Sequence, residues 1–398
     1  MNLRDLFALH DRRRLRWGIV RGALHTFFRS ADALLLKPGE LATKTIFRIL
    51  VLRPNHRLGN VLMLTPLISE IECTFPGAEI DVLVAGTAGH DVFSNFVSVR
   101  RVHAFPHYAL RHLIKLLQTI IKLRSLRYDL IVDPCVDSNS NRMLMTCLKT
   151  RHALAIPFRP SGAHTQWSRL MNSAPAHLAT LPVYLLRHAL TPQHSVNDKE
   201  YPRLDMRLTK REQAAGLHVL NTLLGRRNKS SHQITIGIFA NATGAKRYDE
   251  SWWLRFINTL VGQRTEFAIL EIVAADACSR LNASFPGYYS TDPRKLAALI
   301  SNLDHFISAD CGVMHLACAS GARTIGLFSV TDASRYEPYG GDNRSVVTAG
   351  KDARDVACNV LSMIEDVRRA ARRHDRYAPS EDLTETTRAQ SVATSAER

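Results

Sequence analysis

Short apolar runs alternate with amphipathic stretches from Thr45 onward. The runs have the length and β-branched content of buried strands, and the stretches between them repeat their apolar residues at helical spacing. In the first half, strands are predicted over 46–52, 79–84, 101–105 and 128–132, and helices over 61–71 and 111–124. This alternation predicts a parallel sheet covered by helices on both faces.

The second half repeats the scheme, with strands predicted over 233–239, 267–273, 304–308 and 323–328 and a helix over 352–370. Thr291-Asp292-Pro293 predicts another helix start, because a capping side chain precedes a first-turn proline. The stretch 185–232 is polar and less regular, which predicts a domain junction near 200–206. We therefore expect an α/β fold of two Rossmann-like, doubly wound domains, 45–203 and 204–374, facing a central cleft.

The two ends of the chain differ from this pattern. The first 48 residues carry ten Lys and Arg against four Asp and Glu, and apolar residues from Trp17 to Leu35 recur at helical spacing. We interpret 1–44 as a basic amphipathic helical segment, which either lies in the plane of a membrane or packs on the main body. Residues 375–398 have almost no large apolar side chains and are predicted to be disordered.

Composition narrows the class of protein. The 398 residues include 52 Lys and Arg against 36 Asp and Glu, an excess that favours anionic partners. No apolar run approaches the length of a membrane span, and a secretory signal pattern is missing. The seven cysteines are scattered without a C-x-x-C pair, which disfavours a disulfide framework or structural zinc and favours a reducing cytoplasm. Only net charge points to nucleic acid, and no recognition motif accompanies it.

The loop after strand 304–308 has the composition of an anion site. Asp310-Cys311-Gly312-Val313-Met314-His315 joins that strand to a helix, so free backbone amides gather at one point, which suits a diphosphate. Gly312 would allow close approach to the backbone, and His315 would donate to a phosphate oxygen. The alternative is structural: Asp310 caps the helix and His315 is a satisfied semi-buried residue.

A second polar loop, 241–247, follows strand 233–239 and contains Thr243, Gly244, Lys246 and Arg247. Lys246 as a point charge and Arg247 as a planar fork would both suit phosphate, unless the loop is only a solvated basic turn. The sequence has no D-x-D motif, so helix dipoles and cations rather than a metal would meet diphosphate charge. No metal and no cofactor are predicted.

Four segments together resemble the ADP-heptose:lipopolysaccharide heptosyltransferase family, glycosyltransferase family nine, of the GT-B fold. They are RLGNVLMLTPL (57–67) with TFPGAEIDVLV (74–84), YDLIVD (128–133), ATGAKRY (242–248) with Trp252-Trp253, and ISADCGVMHLACA (307–319) with GLFSVTD (326–332). The likeness covers roughly 46–350. It implies that the C-terminal domain holds an ADP-sugar, because Thr243 and Lys246 match the family's phosphate-loop positions and Asp310, Gly312 and His315 match its D-x-G-x-x-H motif. The predicted donor-binding set also includes Arg247, Cys311, Val313 and Met314 from the same two loops.

The resemblance fails at one position. Where the family has a G-D motif, whose Asp is taken as general base, this chain has Gly59-Asn60. An amide orients a hydroxyl but does not accept its proton. Asp137, at the end of strand 128–132, is the first candidate to replace that base, and His56 is the second.

The resemblance implies an inverting, metal-independent glycosyltransferase that moves a sugar, heptose in the first place, to a lipopolysaccharide-core or related glycan acceptor. The N-terminal domain would hold that acceptor. The enzyme would be cytoplasmic and peripheral on the anionic inner face of the cytoplasmic membrane, without nucleic acid as a partner. The alternative is a catalytically impaired, membrane-associated relative that binds the nucleotide sugar.

Overall fold

The computed structural model of the chain describes residues 35–105, 113–136, 138–148, 150–156, 165–191, 199–225, 233–262, 264 and 266–377. The expected N-terminal helix over 1–34, the candidate base Asp137 and the tail from 378 onward lie outside the described residues. Within them, two parallel sheets organise two lobes.

The N-terminal lobe is built on a five-stranded parallel sheet of order β3-β2-β1-β4-β5. Its strands are β1 (Arg48–Arg53), β2 (Glu79–Ala85), β3 (Val99–Phe105), β4 (Tyr128–Asp133) and β5 (Thr150–Ala155). Nearly every residue of the three central strands is buried, as expected where helices cover both faces.

The C-terminal lobe is built on a six-stranded parallel sheet of order β11-β10-β9-β6-β7-β8. Its strands are β6 (Ile234–Phe239), β7 (Phe267–Ile272), β8 (Gly287–Tyr288), β9 (His305–Ala309), β10 (Arg323–Phe328) and β11 (Arg344–Val347). The predicted α/β fold with two doubly wound sheets is confirmed.

Helices connect the strands and cover both sheets. Those of the N-terminal lobe are α1 (Leu58–Leu62), α2 (Thr65–Thr74), α3 (Ala88–Phe93), α4 (Leu113–Ser125), α5 (Asn139–Cys147), α6 (Thr165–Met171) and α7 (Leu181–Ala189). Those that follow are α8 (Lys210–Leu223), α9 (Glu250–Val261), α10 (Pro293–Ile300), α11 (Gly312–Ser320), α12 (Ala333–Tyr336) and α13 (Ala353–Tyr377). Among the described residues, no helix is both long enough and apolar enough to cross a membrane.

The strand order determines which strand ends lie beside the ligand-binding positions of the two sheets. In each sheet the chain reverses its direction of winding, between β1 and β4 and between β6 and β9. Ligands of doubly wound sheets bind at the carboxyl ends of the strands beside such a reversal. Candidate residues singled out in the sequence follow these four strands along the chain: Asn60 follows β1, Asp137 follows β4, Lys246 follows β6 and Asp310 follows β9.

Several sequence expectations need correction. The helix expected over 61–71 is two helices, because Pro66 lies in the first turn of α2 and cannot donate the hydrogen bond that a continuous helix needs. The stretch 185–232, expected to be polar and less regular, contains α8, whose Thr209 and Glu212 form a capping box. Leu35, expected on the helical stripe, instead forms an isolated bridge with Ala153.

Residues 199–209 form neither helix nor strand. They bond to the C-terminal lobe through the amide of Met206, which donates to the carbonyl of Ala319, and to the N-terminal lobe through Arg187. The buried Arg187 binds Glu70 through two hydrogen bonds of 2.7 and 3.0 Å and also donates to the carbonyl of Glu200. Arg294 of α10 binds Glu212 at 2.5 Å and donates to the carbonyl of Asp91 in the N-terminal lobe. The two lobes are therefore joined through charged groups as well as through the chain.

Helices α8 and α10 approach so closely that Gly216 has no room for a side chain. A Cβ there would overlap the carbonyl oxygen of Ala298. Alanine in place of a helical glycine normally stabilises by up to about 1 kcal/mol. Here we expect Gly216→Ala to lower the free energy of unfolding by about 1–3 kcal/mol, because backbone cannot move aside cheaply.

Urea denaturation followed by circular dichroism measures this change. The exposed neighbour Ala214 offers a control on the same helix, and Ala214→Ser should alter stability by less than about 0.5 kcal/mol. A stabilised Gly216→Ala variant would contradict the close helix packing.

Candidate functional site

Two helices, one from each lobe, meet at their N-terminal ends. Helix α1 follows β1 and α11 follows β9, so both begin at a switch point. A Cβ on Gly59 would lie 2.7 Å from Cδ2 of His315 and 3.2 Å from Cα of Gly312. Glycine at both positions is therefore what lets the two backbones touch. This contact brings the N-terminal motif at 57–67 against the motif at 310–315.

Lys246 and Asp310 form an ion pair between the two predicted phosphate loops. Nζ of Lys246 donates to Oδ2 of Asp310 at 2.5 Å, and it lies 5.7 Å from the ring centroid of Tyr336. The carboxylate of Asp310 is 5% exposed and the lysine side chain 31% exposed. Lys246 therefore stands between a buried carboxylate and solvent, where an arriving anion can reach it.

No carboxylate or hydroxyl side chain caps the N-terminus of α11, and the amides of Val313 and Met314 lie near the thiol of Cys311. The N-cap residue is Cys311, whose side chain makes no capping hydrogen bond, whereas Asp310 is paired with Lys246. Asp310 is therefore not the cap that the structural alternative required. Gly312 and Val313 are only half-buried, and the first amides of this nine-residue helix concentrate its positive dipole end there. Met314 is fully buried in the core.

His315 is buried and electrically neutral near pH 7. Burial is the main reason that its pKa falls to about 4. The carboxylate of Asp310 raises this pKa, whereas His177 and Lys246 lower it. Its Nδ1 atom is buried without a hydrogen-bond partner. The structural alternative, a histidine with all its hydrogen bonds satisfied, therefore does not describe His315. A neutral imidazole held this way carries one N–H that can donate to an oxygen of a ligand.

The two adjacent cations of loop 241–247 separate in the structure. Lys246 turns toward Asp310, whereas Arg247 is exposed and donates to Oδ1 of Asn241 at 3.1 Å. Thr243 is also exposed, and Gly244 adopts φ +61° with open space around it. Only Lys246 joins the cluster around Asp310, so the structure does not bring Arg247 there.

Asn60 and the candidate base His56 differ in position and in exposure. Asn60 is half-buried in α1, one residue from the contact between Gly59 and His315. His56 is exposed on the loop after β1, and its Cβ would lie 3.9 Å from a Cβ built on Gly86. Asp137 lies outside the described residues. Gly59 therefore makes the contact with the other lobe, and the residue that follows it is an amide, Asn60.

The end of β4 holds a buried carboxylate, Asp133, in the segment where the sequence favoured Asp137 as the base. Oδ1 of Asp133 accepts from Nδ2 of Asn141 at 2.6 Å and from the amide of Cys135 at 3.0 Å. Burial raises the pKa of this carboxyl, against the hydrogen bond from Asn141, which lowers it. The group orders the first turn of α5, and the sequence signal for it was an Asp directly after an apolar run.

Three further side chains border the cluster and were missed. Nε2 of His177, on the segment before α7, donates to the carbonyl of Glu337 at 3.0 Å across the lobes. Tyr248 stacks on Trp252 and shares a 2.6 Å hydrogen bond with Thr348. Tyr336 lies beside Lys246. Tyr248 could have been found from its place next to Arg247 in the sequence. No sequence motif surrounds His177.

No group of three or more His, Cys, Asp or Glu side chains is placed to hold a metal ion within the part of the chain that the structure describes.

Comparison with known proteins identifies relatives of this arrangement. The family described as glycosyltransferase family 9 (heptosyltransferase) matches residues 122–359. No curated protein sequence matches the chain significantly.

Solved structures of that family share the fold. A glycosyltransferase family 9 protein from Veillonella parvula aligns with a TM-score of 0.60 at 14% identity, covering 84% of this chain and 98% of that one. The ADP-heptose lps heptosyltransferase II of E. coli aligns with a TM-score of 0.57 at 16% identity, covering 81% and 100%. The E. coli heptosyltransferase WaaC with ADP-2-deoxy-2-fluoro heptose aligns with a TM-score of 0.52 at 16% identity, covering 81% and 100%. The predicted GT-B fold is confirmed.

Lys246 is expected to be the main cation for a nucleoside diphosphate. Removing its charge in Lys246→Gln should weaken ADP binding about tenfold, the usual loss for one charge-assisted hydrogen bond. Isothermal titration calorimetry measures the change. Arg247→Gln is the matched control, because that side chain is exposed and bonded to Asn241. Equal losses in the two variants would contradict the assignment.

His315 should make the folded state sensitive to acid. Unfolding exposes an imidazole with the ordinary pKa of 6.5, whereas the folded pKa is about 4. The unfolded chain therefore binds more protons between these values, and stability falls as the pH drops from 6.5 toward 4.

Between pH 7.5 and 5.5 we expect the native chain to lose about 1 kcal/mol more free energy of unfolding than His315→Gln does. Denaturant titrations at the two pH values measure this. The exposed His218 serves as control, since His218→Gln should keep the native pH dependence. A native dependence in His315→Gln would show that this histidine is not buried in neutral form.

Proposed function

The chain belongs to glycosyltransferase family 9, and we propose that it is an inverting glycosyltransferase that transfers a sugar, heptose in the first place, from an ADP-sugar to a lipopolysaccharide-core or related glycan acceptor. One observation carries the proposal. The Lys246–Asp310 pair, the N-terminus of α11 and the neutral His315 lie together at the C-terminal lobe's switch point, against α1 of the other lobe. These groups offer the positive charge and the hydrogen-bond donors that a donor diphosphate needs.

The leaving group would be stabilised by groups already in position. As the bond from the anomeric carbon to the diphosphate breaks, negative charge grows on the departing oxygen. The amides at the start of α11, Lys246 and the N–H of His315 are the available donors. Because these groups are partly or fully withdrawn from water, their interaction with the growing charge is stronger than in solvent.

The acceptor hydroxyl would attack from the N-terminal lobe. Inversion requires its oxygen to bond to the anomeric carbon opposite the departing ADP, while its proton passes to a base. Asn60 follows Gly59, the residue that contacts the donor motif, and its amide can orient that hydroxyl but not deprotonate it. We assign the proton acceptor to Asp137, or to the exposed His56 in second place.

The chemistry assigned here uses no metal ion. The sequence lacks a D-x-D motif, and Lys246 together with the α11 dipole supplies the positive charge. The proposed place of action is the inner face of the cytoplasmic membrane, because a lipid-linked acceptor is held there. The basic segment 1–44 and the net charge of +16 support attraction to anionic lipid.

A second function is favoured by Asn60 alone. A chain that has lost its base would bind the nucleotide sugar without transferring it, as a membrane-associated relative of the enzymes. The two functions differ in turnover and not in ADP binding.

Incubating the purified full chain with labelled ADP-heptose and heptose-deficient lipopolysaccharide tests the first function. We expect label in the lipid fraction, and at least about a hundredfold less in Lys246→Gln, because a diphosphate contact acts on both binding and leaving-group charge. ADP binding without transfer to this or any other lipid-linked acceptor, with all donors tried, would favour the impaired relative.

Replacing Asn60 by the Asp of the family's G-D motif further distinguishes the active transferase from the impaired relative. If another base already serves, Asn60→Asp should change turnover by less than about threefold, and Asp137→Asn should reduce it about a hundredfold. If the base has been lost, Asn60→Asp should create or greatly increase transfer, and Asp137→Asn should have no effect. His56→Gln, measured in parallel, decides whether the second candidate takes the proton instead.

A further inference from the structure

Helix α4 exposes a stripe of large apolar side chains. Ile114, Leu117 and Ile121 are 76%, 58% and 59% exposed. Their spacing of three and four residues keeps them within about 60° on one side of the helix. The opposite side of the helix is buried through Leu123, which packs with Tyr128 in the core of the N-terminal lobe. We call Ile114, Leu117 and Ile121 the α4 stripe.

Cations flank the α4 stripe on both sides, and acidic residues are missing. Lys115 and Lys122 lie along one edge and Arg124 along the other, by their positions on the helical wheel. All three are exposed, as is Arg127 just after the helix. The whole stretch 113–127 contains no Asp or Glu. Apolar side chains between flexible cations are the pattern of a helix that lies in an anionic lipid interface.

The position of α4 fits such a role. It starts after β3 and ends before β4, so it runs from the carboxyl edge of the sheet to the opposite edge. Ile114 is therefore at the end of the helix nearer to the carboxyl edge, where α1 contacts the C-terminal lobe. Docking through this face would bring the acceptor lobe to the surface that contains a lipid-linked acceptor.

Three partners could cover the α4 stripe: segment 1–34, a second copy of the chain or an anionic bilayer. Their charges distinguish them. Segment 1–34 of this chain contains seven Arg against three Asp, and a second copy of the chain carries +16. Both are cationic and would be repelled by a face that has only positive charges, whereas an anionic bilayer would be attracted.

We propose that the α4 stripe is a membrane-docking surface, whose apolar residues enter the headgroup region of an anionic bilayer while Lys115, Lys122 and Arg124 bind its phosphates. The inference rests on the proposed function in one respect only, that the acceptor is lipid-linked. Lipid binding itself requires no catalysis.

Vesicle co-sedimentation of the full chain tests the proposal. The vesicles contain either phosphatidylcholine alone or phosphatidylcholine with phosphatidylglycerol. Binding is expected only to the second kind, with loss of about tenfold or more in affinity in Ile114→Glu/Leu117→Glu/Ile121→Glu. Val97→Glu is the matched control, because Val97 is 98% exposed in the N-terminal lobe and lies on the loop before β3. It should bind as the native chain does.

A second variant keeps the proposal falsifiable if the triple variant misfolds. Lys115→Gln/Lys122→Gln changes only exposed side chains and should weaken binding to phosphatidylglycerol vesicles and flatten its dependence on salt. Circular dichroism and ADP calorimetry are run on every variant. Failure to bind ADP would count against the proposed function and leave the lipid result standing.

Three results would overturn the proposal. The first is absence of binding of the native chain to phosphatidylglycerol vesicles. The second is unchanged binding in both α4 variants, which would assign the membrane contact to segment 1–34. The third is a native dimer that the triple variant converts to a monomer, which would make a second copy the occupant.

Discussion

The direct contact between Gly59 and Gly312 is the constraint on which the arrangement of the site depends. It joins the first turn of a helix in each lobe, and any side chain at Gly59 would collide with the ring of His315. The contact holds the Asn60 turn against the motif that contains Asp310 and His315. Both helices begin at switch points, so the geometry follows from the strand orders of the two sheets.

Charge balance within the C-terminal lobe depends on this arrangement. Asp310 is buried and is compensated by Lys246, which remains partly open to solvent. His315 stays neutral, since burial between the lobes and the positive charge of Lys246 both disfavour protonation. The result is a cluster of one partly exposed cation, one neutral imidazole and one helix terminus, which suits an anion that must be bound and then released.

The positions of the buried strands along the chain were predictable because a strand between covering helices needs a continuous apolar run, as in 79–84 and 323–328. The capping box before α8 was a readable signal that the polar composition of 185–232 concealed. The short β8 and β11 have no such runs, and they form by pairing with longer neighbours. The membership of glycosyltransferase family 9 followed from motifs whose order, more than any single residue, carried the information.

The sequence by itself determined the two doubly wound lobes and the four polar loops at their strand ends, because hydrophobic period and turn residues act over a few neighbouring positions. Only the tertiary structure decided that Lys246 rather than Arg247 pairs with Asp310. It also decided that the imidazole of His315 is buried against Gly59. These outcomes depend on distances between residues far apart in the chain, and packing of the lobes sets those distances.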